Sequence, residues 1–366
     1  MSDPAVIFGG PSPEHDVSIL TGLQAAQALG KAGRTVTALY WAKTGDWFSV
    51  DPGLEAGAFD GVPHPSGAAP VRFVAATGGG FVTGGRRSRT IEIGAAVNCC
   101  HGGPGEDGSL QGALDLAGVR YTGPSQPGAA LGMDKLAFGA VVTAAGLPSL
   151  PRAPLTAEGA VDFDGPYIVK PRYGGSSIGI DTVADLATAR ARLGANVHLK
   201  AGAVVEPYKP DSFDLNIAVR TWPELQLSAI EKPLRSGSGS EILGYADKYV
   251  GGEGMVSAPR ELPADIDPAL GDRIRAMATR IVELASVRGI ARIDFLADGD
   301  EIFVNEINTI PGSLAKYLWV EPALGFDRLL VDLLDEAERR PTTHWTTQGA
   351  DGTALRSAGS IASKLS

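Results

Sequence analysis

The feature that most constrains the fold of this chain is the order of its first apolar segments. Residues 5–8 form a short apolar run that ends at a pair of glycines, residues 19–31 have a helical pattern, and residues 35–40 form a second apolar run. A strand, a helix and a strand in this order favour a parallel sheet with helices on its faces. Residues 95–100 add a further strand. The sequence therefore predicts an α/β protein that begins with a Rossmann-like parallel sheet.

The rest of the chain divides into further regions of strands and helices. At about 100–200 residues per domain, 366 residues are enough for two or three domains. We expect an N-terminal Rossmann-like domain over 1–127, a central domain over 128–207 and a C-terminal catalytic domain over 208–341. The polar residues 342–366 are expected to form a mobile tail.

Charge and cysteine content limit the class of function. The chain has 32 basic and 42 acidic residues, a net charge of −10, whereas a general nucleic-acid binder is usually basic. The two cysteines, Cys99 and Cys100, are adjacent and cannot form a disulfide framework, which fits a reducing compartment. No apolar stretch approaches the ~18 residues that span a membrane. We therefore expect a cytoplasmic protein that acts on small molecules, without a nucleic-acid or membrane partner.

The densest group of polar residues lies on a predicted hairpin near the C-terminus. Alternate residues of a strand share one face, so Arg292 and Asp294 point the same way, as do Glu306 and Asn308. A three-residue loop at 298–300 would place Arg292 opposite Glu306. Carboxylate and amide oxygens at this density suit Mg²⁺. The alternative is a sheet face that is only held together by salt bridges.

A second candidate site follows the predicted strand that ends at Lys170. The next residues include the glycine- and serine-rich run GGSSIG at 174–179. Backbone amides of such a loop approach a phosphate closely, and the lysine supplies positive charge. The alternative is a flexible hairpin loop without a ligand.

Three further loops carry polar residues, and each has a plain structural alternative. Residues 13–18 open the first helix, whose N-terminus favours anions, although Ser12 or Asp16 could simply cap it. Residues 101–108 follow a strand where open α/β sheets bind ligands, or they form a tight turn. Residues 245–249 lie in a long loop that could be an active-site lid or merely exposed.

Seven motifs, in order from about residue 5 to residue 312, together resemble the D-alanine–D-alanine ligase family of ATP-grasp enzymes. They are FGGPSPEHDVS (8–18), HGGPGEDGSLQG (101–112), MDK (133–135), KP with GSS (170–171 and 175–177), KY (248–249), RIDF (292–295) and NEINTIPG (305–312). The resemblance implies an ATP-grasp fold preceded by the Rossmann-like domain, with ATP held between the second and third domains.

The resemblance also implies site residues. ATP would be bound by Lys135, Lys170, Ser176, Ser177, Glu206, Asp214 and Lys248. Asp294, Glu306 and Asn308 would hold two Mg²⁺ ions, with Mn²⁺ as an alternative. The implied catalytic residues are Glu14, Ser176, Tyr249 and Arg292. Among them, Arg292 would stabilise the oxyanion, and Glu14 would receive the ammonium of the first amino acid and be linked through Ser176 to Tyr249.

Substrate binding is implied for Glu14, His101, Gly312, Lys316, Tyr317 and Leu318. The chain departs from the family at the second-substrate pocket, because Tyr317 takes the place of a serine that usually receives a carboxylate, and Lys316 adds a charge beside it. A phenol is larger than a hydroxymethyl group. The pocket for the second amino acid is therefore expected to differ.

These observations predict an ATP- and Mg²⁺-dependent ligase that forms a dipeptide, D-alanyl-D-alanine foremost, for peptidoglycan precursors. One alternative is a specialised ATP-grasp amide ligase with a different second substrate. Another is a nucleotide-binding regulatory protein that has lost catalysis, against which the intact polar hairpin argues. The resemblance further implies a homodimer.

Overall fold

The computed structural model describes residues 3–85, 87–234, 259–342 and 346–364, which form three sheets flanked by helices. The strands are β1 Ala5–Gly9, β2 Thr37–Trp41, β3 Trp47–Val50, β4 Ala69–Val74, β5 Gly80–Thr83, β6 Ala95–Asn98, β7 Arg120–Tyr121, β8 Ala153–Pro154, β9 Tyr167–Pro171, β10 Asp181–Val183, β11 Ala203–Pro207, β12 Phe213–Arg220, β13 Gln226–Pro233, β14 Arg260–Glu261, β15 Ile290–Asp298 and β16 Glu301–Asn308. The α-helices are α1 His15–Lys31, α2 Gly103–Glu106, α3 Ser109–Ala117, α4 Gln126–Met133, α5 Lys135–Ala144, α6 Leu186–Ala195, α7 Pro268–Leu284, α8 Phe326–Arg339 and α9 Thr353–Arg356.

The first sheet is parallel where the sequence predicts it and antiparallel beyond that. Its order is β5-β4-β3-β2-β1-β6-β7, with β2, β1, β6 and β7 parallel and β3 to β5 antiparallel. All five residues of β1 are buried, as expected for a central strand covered on both faces. Helix α1 packs against it so closely that a Cβ at Gly22 would overlap Phe8. Residues 51–95, whose many glycines and prolines predict loops and a hairpin, contain the hairpin β4–β5.

The second sheet is small and antiparallel, in the order β10-β9-β11-β8. The sequence predicts a helix over 183–193. The observed helix α6 starts at Leu186, because Asp181–Val183 pairs with β9 as strand β10. The carboxylate of Asp185 then caps α6 by accepting from Thr188 N–H at 2.8 Å.

The third sheet has the order β14-β13-β12-β15-β16 and carries α7 on one face. The last long helix, α8, packs against the first sheet instead. Leu330 and Leu333 of α8 share a core with Ile19 and Leu23 of α1. The N-terminal and C-terminal regions are therefore joined by a common apolar core.

The tail contains the one-turn helix Thr353–Arg356 and a 3₁₀ turn at Ala362–Lys364. Its mobility stays a prediction. None of the helices in the described residues is long and apolar enough to cross a bilayer.

Candidate active site

The polar hairpin presents its four side chains on one face, as predicted. Arg292 donates from Nε and Nη2 to the two carboxylate oxygens of Asp294, each at 2.7 Å, and Asn308 Nδ2 donates to Asp294 Oδ2 at 3.0 Å. Asp294 lies directly opposite Glu306, and Arg292 opposite Asn308. The predicted pairing of Arg292 with Glu306 is therefore wrong.

The cause is a shorter turn combined with a β-bulge. Asp298 pairs with Glu301, so the turn has two residues instead of three, and the register shifts between Asp294 and Phe295. Asn305 is the extra residue of the bulge. It brings Glu306 and Asn308 to the face of Arg292, while Val304 and Ile307 both stay in the core.

Two lysines point toward this face from the central region. Asp134 caps helix α5 by accepting from Leu136 and Ala137 N–H, which places Lys135 in the first turn. The Lys135 ammonium lies 3.4 Å from Glu306 Oε2 and donates to the Gly174 carbonyl. Lys170 Nζ donates to Asn305 Oδ1 at 3.2 Å.

The carboxylate of Glu206 lies at the wall of the larger cavity, where it contacts two cations. It is 1% exposed, and its oxygens lie 2.8 Å from Lys170 Nζ and 2.7 Å from Arg152 Nε. Burial raises its pKa, but Arg152 and Lys170 outweigh burial and hold the pKa below the ordinary value. Glu206 also lines the larger cavity, and its predicted role in ATP binding stays a prediction.

The glycine- and serine-rich loop folds back onto Glu14. Ser176 and Ser177 have left-handed backbone angles, with φ of 52° and 58°. The Ser176 hydroxyl donates to Glu14 Oε1. This hydrogen bond is the first part of the link from Glu14 through Ser176 to Tyr249 that the resemblance implies. An added Cβ at Gly175 would lie 2.9 Å from Glu14 Oε2, so any other residue there would require the Glu14 carboxylate to shift. Neither Ser12 nor Asp16 caps α1 through its side chain.

His101 holds the loop after β16 through its two ring nitrogens. The Ile310 carbonyl can only accept, so the hydrogen is on His101 Nδ1, which donates to it at 2.7 Å. Nε2 then accepts from the Thr21 hydroxyl at 2.7 Å, and Thr21 Oγ1 accepts from Ser313 N–H at 3.1 Å. Burial lowers the pKa of His101 to about 4, which agrees with a neutral ring. The ring also borders the smaller cavity, and the role of His101 in substrate binding stays a prediction.

Glu106 is a buried acidic residue that the motif analysis did not single out. Its carboxylate accepts from Gly102 N–H and Ile310 N–H, each at 2.9 Å, so it joins the first sheet to the loop after β16. Burial and the nearby Glu14 raise the pKa of Glu106 to about 7. The sequence signal that could have pointed to Glu106 is its position as an acidic residue within the glycine-rich run 102–108.

The loop after Gly312 carries the other residues predicted to bind substrate. Leu318 is fully buried in the apolar core, and the Lys316 ammonium lies 4.9 Å from the centroid of the Phe326 ring. Tyr317 lies beside Arg292, whose Nη1 is 3.4 Å from the phenol oxygen. Gly312 borders the smaller cavity. The roles of Lys316, Tyr317 and Leu318 in substrate binding stay predictions.

Two cavities meet at this site. The larger runs between the second and third sheets past Lys170, Asp214 and Asp294, and the smaller lies against the first sheet at Glu14 and His101. Both are lined by Lys135, Gly174, Gly175, Arg292 and Glu306. Lys248 and Tyr249, predicted for ATP binding and for catalysis, lie outside the described residues.

The donor set on the hairpin fits a hard divalent cation. Two carboxylates, Asp294 and Glu306, and the amide oxygen of Asn308 share one face. Mg²⁺ takes one or two protein carboxylates and completes its shell with phosphate oxygens and water. Among residues 3–85, 87–234, 259–342 and 346–364, no three His, Cys, Asp or Glu side chains form a metal-binding group. The set therefore suits an ion that depends on a bound phosphate for its other ligands.

Two family profiles together match most of the chain. The profile of the D-ala D-ala ligase N-terminus matches residues 4–124, and that of the D-ala D-ala ligase C-terminus matches residues 131–335. The chain belongs to the D-alanine–D-alanine ligase family. Members of this family are ligases that use ATP and small-molecule substrates.

Individual relatives agree with this membership. A D-alanine–D-alanine ligase of Bradyrhizobium sp. (strain ORS 278) is 30% identical over 351 residues, a match that covers 92% of this chain and 95% of that protein. The crystal structure of VanG D-Ala:D-Ser ligase from Enterococcus faecalis superposes with a TM-score of 0.73 at 26% identity, covering 92% of this chain and 99% of that one.

The D-alanyl-alanine synthetase A of Vibrio cholerae O1 biovar eltor str. N16961 has a TM-score of 0.76 at 21% identity, covering 93% of this chain and 99% of that one. At that identity the likeness shows the fold alone. The predicted ATP-grasp fold with its Rossmann-like N-terminal sheet is confirmed.

Proposed function

We propose that this D-alanine–D-alanine ligase family member joins two D-alanine molecules at the expense of ATP, for peptidoglycan precursors. The observation that carries the proposal is the meeting of two cavities at Lys135, Arg292 and Glu306. A nucleotide in the larger cavity would reach an amino acid in the smaller one only at this junction.

The reaction must activate a carboxylate, which is a poor electrophile. The γ-phosphoryl group of ATP passes to a carboxylate oxygen of the first amino acid, giving an acyl phosphate and ADP. The amine of the second amino acid then attacks the carbonyl carbon, loses a proton, and phosphate leaves from the tetrahedral intermediate. Arg292 at the junction stabilises the oxyanion of that intermediate.

Lys135, Lys170, Ser176, Ser177 and Lys248 bind the phosphates in this proposal. Asp214, which lines the larger cavity, binds the ribose. Glu206, which lines the larger cavity on β11, binds the adenine, and Arg152 and Lys170 hold its carboxylate in place. Asp294, Glu306 and Asn308 would hold two Mg²⁺ ions, or Mn²⁺, which would neutralise phosphate charge.

Glu14 receives the ammonium group of the first amino acid at the far end of the smaller cavity. Glu14 is 8% exposed, and its attraction for an ammonium group is stronger because little water screens it. The Ser176 hydroxyl donates to one oxygen of its carboxylate. Tyr249 completes this link in the proposal. The glycine- and serine-rich loop thus connects phosphate binding to amino-acid binding, and closing it excludes water that would hydrolyse the acyl phosphate.

A second candidate is an amide ligase with a different second amino acid or amine. The contact of Tyr317 with Arg292 favours it, because a phenol occupies the region where the family usually has a serine. Both candidates share the activation step and differ only in the acceptor.

Three further proposals accompany the activity. The three sheets correspond to domains over 1–127, 128–207 and 208–341, followed by the tail at 342–366. The protein acts in the cytoplasm, and it forms a homodimer, which light scattering would test by its mass in solution.

The test is phosphate release with Mg-ATP across D- and L-amino acids, singly and in pairs, with products identified by mass spectrometry. Stimulation by D-alanine alone with formation of D-alanyl-D-alanine supports the proposal. Turnover with another pair alone supports the second candidate. ATP binding without release in any mixture would show a protein that binds nucleotide and does not catalyse.

A further inference from the structure

Arg152 lies directly before strand β8, and no motif of the sequence includes it. Its side chain is 5% exposed, and each of its three nitrogens contacts a different element. Nη1 donates to the carbonyl of Lys135 in α5 at 3.0 Å, Nη2 donates to the carbonyl of Asn305 in β16, and Nε lies 2.7 Å from Glu206 Oε1 in β11. One guanidinium therefore joins three parts of the wall of the larger cavity, although it borders neither cavity in the described part of the chain.

The contact with Asn305 meets a need that the bulge creates. The register between β15 and β16 skips Asn305, so its carbonyl has to find a donor outside this strand pair. Arg152 Nη2 supplies that donor. The bulge in turn brings Glu306 and Asn308 to the face of Asp294. Arg152 thus supports the irregularity on which the donor set for a cation depends.

The same guanidinium is tied to the two lysines of the site. Its bond to the Lys135 carbonyl holds the first turn of α5. Lys170 shares the Glu206 carboxylate with it, at 2.8 Å between Lys170 Nζ and Glu206 Oε2. Lys170 also donates to the side-chain oxygen of Asn305 at 3.2 Å. Both lysines and the polar hairpin are therefore connected through one buried arginine.

Helix α5 leaves room for this arginine. Gly139 lies one turn after Lys135, and an added Cβ there would be 2.9 Å from Arg152 Cδ and 3.1 Å from its Nη1. Glycine is unfavourable in the interior of a helix. Its presence at this position fits the space that the guanidinium occupies.

We propose that Arg152 is a positioning residue that holds the phosphate-binding lysines at a fixed distance from the metal-binding hairpin, so that nucleotide and cation strengthen each other's binding. This inference rests on the proposed function in one respect, the binding of Mg-ATP in the larger cavity. Asp294 and Glu306 would hold the cation there, and the lysines would hold the phosphates. An error in the distance between the two groups weakens the effect of the cation on nucleotide binding.

The test measures by calorimetry how much Mg²⁺ tightens the binding of a non-hydrolysable ATP analogue. The ratio of the Kd with excess EDTA to the Kd with Mg²⁺ is this coupling, and a loss of adenine affinity cancels in it. We expect Arg152→Lys to lower the ratio by about 10-fold, near the lower end for the loss of a hydrogen bond to a charged group. Lysine keeps a positive charge beside Glu206, but it cannot replace three directed contacts.

A second variant displaces the guanidinium and keeps its charge. Gly139→Ala places a methyl group against Arg152 Cδ, so the arginine has to move. We expect the ratio to fall in this variant as well. If Arg152→Lys does not fold, Gly139→Ala decides in its place.

Two matched controls come from α6 in the same region. Arg190→Lys changes an arginine whose Nη2 donates to the Gly159 carbonyl at 2.7 Å, and Gly194→Ala adds a methyl group that would have no neighbour within 4 Å. Neither residue lines a cavity in the described chain. Both ratios should stay within about two-fold of the wild type, as for other substitutions away from a site. Thermal unfolding of each variant checks the fold.

A ratio in folded Arg152→Lys equal to that of the wild type would overturn the proposal, because a charge beside Glu206 would then be sufficient. A fall of the same size in the two controls would also overturn it, since the effect would not be specific to Arg152.

The failure of the proposed function has a different signature, because this test needs no amino acid. A wild type that shows the coupling but forms no D-alanyl-D-alanine refutes that function alone, and Arg152→Lys then decides the role of Arg152 by itself. A wild type whose nucleotide affinity does not change with Mg²⁺ overturns the role of Arg152 together with the metal assignment.

Discussion

Arg292 has a central position in the site, because it borders both cavities and its guanidinium orients the Asp294 carboxylate. We predict that Arg292→Ala lowers the rate of dipeptide formation by roughly 10²–10³ while ATP affinity stays within a few-fold. The reason is that an oxyanion donor acts only in the transition state. Product formation by mass spectrometry and ATP affinity by calorimetry check this. A large loss of ATP affinity would instead assign Arg292 to nucleotide binding.

Glu106 makes a pH-dependent contribution to stability. Its pKa is about 7 in the folded protein against an ordinary 4.5, so the folded state binds more protons between these values. The free energy of unfolding therefore falls as pH rises from about 4.5 to about 7, with a slope of at most ~1.4 kcal/mol per pH unit from this group. Glu106→Gln should remove this slope.

Urea unfolding at pH 5.0 and pH 7.5, chosen as roughly the ends of that range, measures the difference between wild type and Glu106→Gln. The stability advantage of the wild type should shrink, or reverse, at the higher pH. Asp107→Asn removes the adjacent carboxyl, which bonds Ser109 N–H, and controls for the loss of one charge. An equal pH response of wild type and Glu106→Gln would show that Glu106 does not titrate in this range.

Among the elements, the turn after β16 is the most strained. Ser313, Leu314 and Ala315 are consecutive non-glycine residues with φ near +50°. The left-handed conformation costs roughly 1–2 kcal/mol for each such residue. Two hydrogen bonds hold this turn: His101, in the loop after β6, donates to the Ile310 carbonyl, and Ser313 N–H donates to Thr21 of α1.

We predict that Ala315→Gly is less destabilising than Ala278→Gly by about 1–2 kcal/mol. Both alanines are fully buried, so each variant loses one buried methyl group. Ala278 lies inside α7, where glycine is unfavourable, whereas glycine relieves strain at position 315. Denaturant unfolding of the two variants measures the difference. Equal losses would mean that the turn at 315 is not strained.

Local patterns predicted most elements but not their long-range contacts. The strand predicted over 203–207 is β11, the helix predicted over 135–145 is α5 and ends one residue earlier, and the helix predicted over about 325–338 is α8, shifted by one residue. The sequence does not predict strand β3, because its half-buried residues show no clear alternation of apolar and polar side chains. The position of the loop after β16 depends on His101, 209 residues away from Ile310, and on Thr21, 292 residues away from Ser313. No local pattern encodes such pairs.

For the whole molecule, binding of Mg-ATP should stabilise all three sheets together, because the nucleotide cavity lies between the second and third, and the third shares a core with the first. Mg-ATP at about 100 times its Kd should raise the free energy of unfolding by ~2.7 kcal/mol. ATP with excess EDTA should give a much smaller rise, since Glu306 and Asp294 would then face phosphate without a cation. Scanning calorimetry checks both. An equal rise with EDTA would separate metal binding from nucleotide binding.

Whether Glu306 and Asn308 face the cleft depends on the turn of the hairpin and on the bulge at Asn305 together. Two arrangements give the hairpin the same functional face: a two-residue turn with one extra residue in β16, as here, or a three-residue turn without it. With the two-residue turn kept, a β16 of the same length without the bulge would place Glu306 opposite Ile293, so that Glu306 and Asn308 would turn into the core, whereas loss of Asn305 would leave Glu306 opposite Asp294. A residue inserted at the tip lengthens only the turn as long as Asp298 stays paired with Glu301.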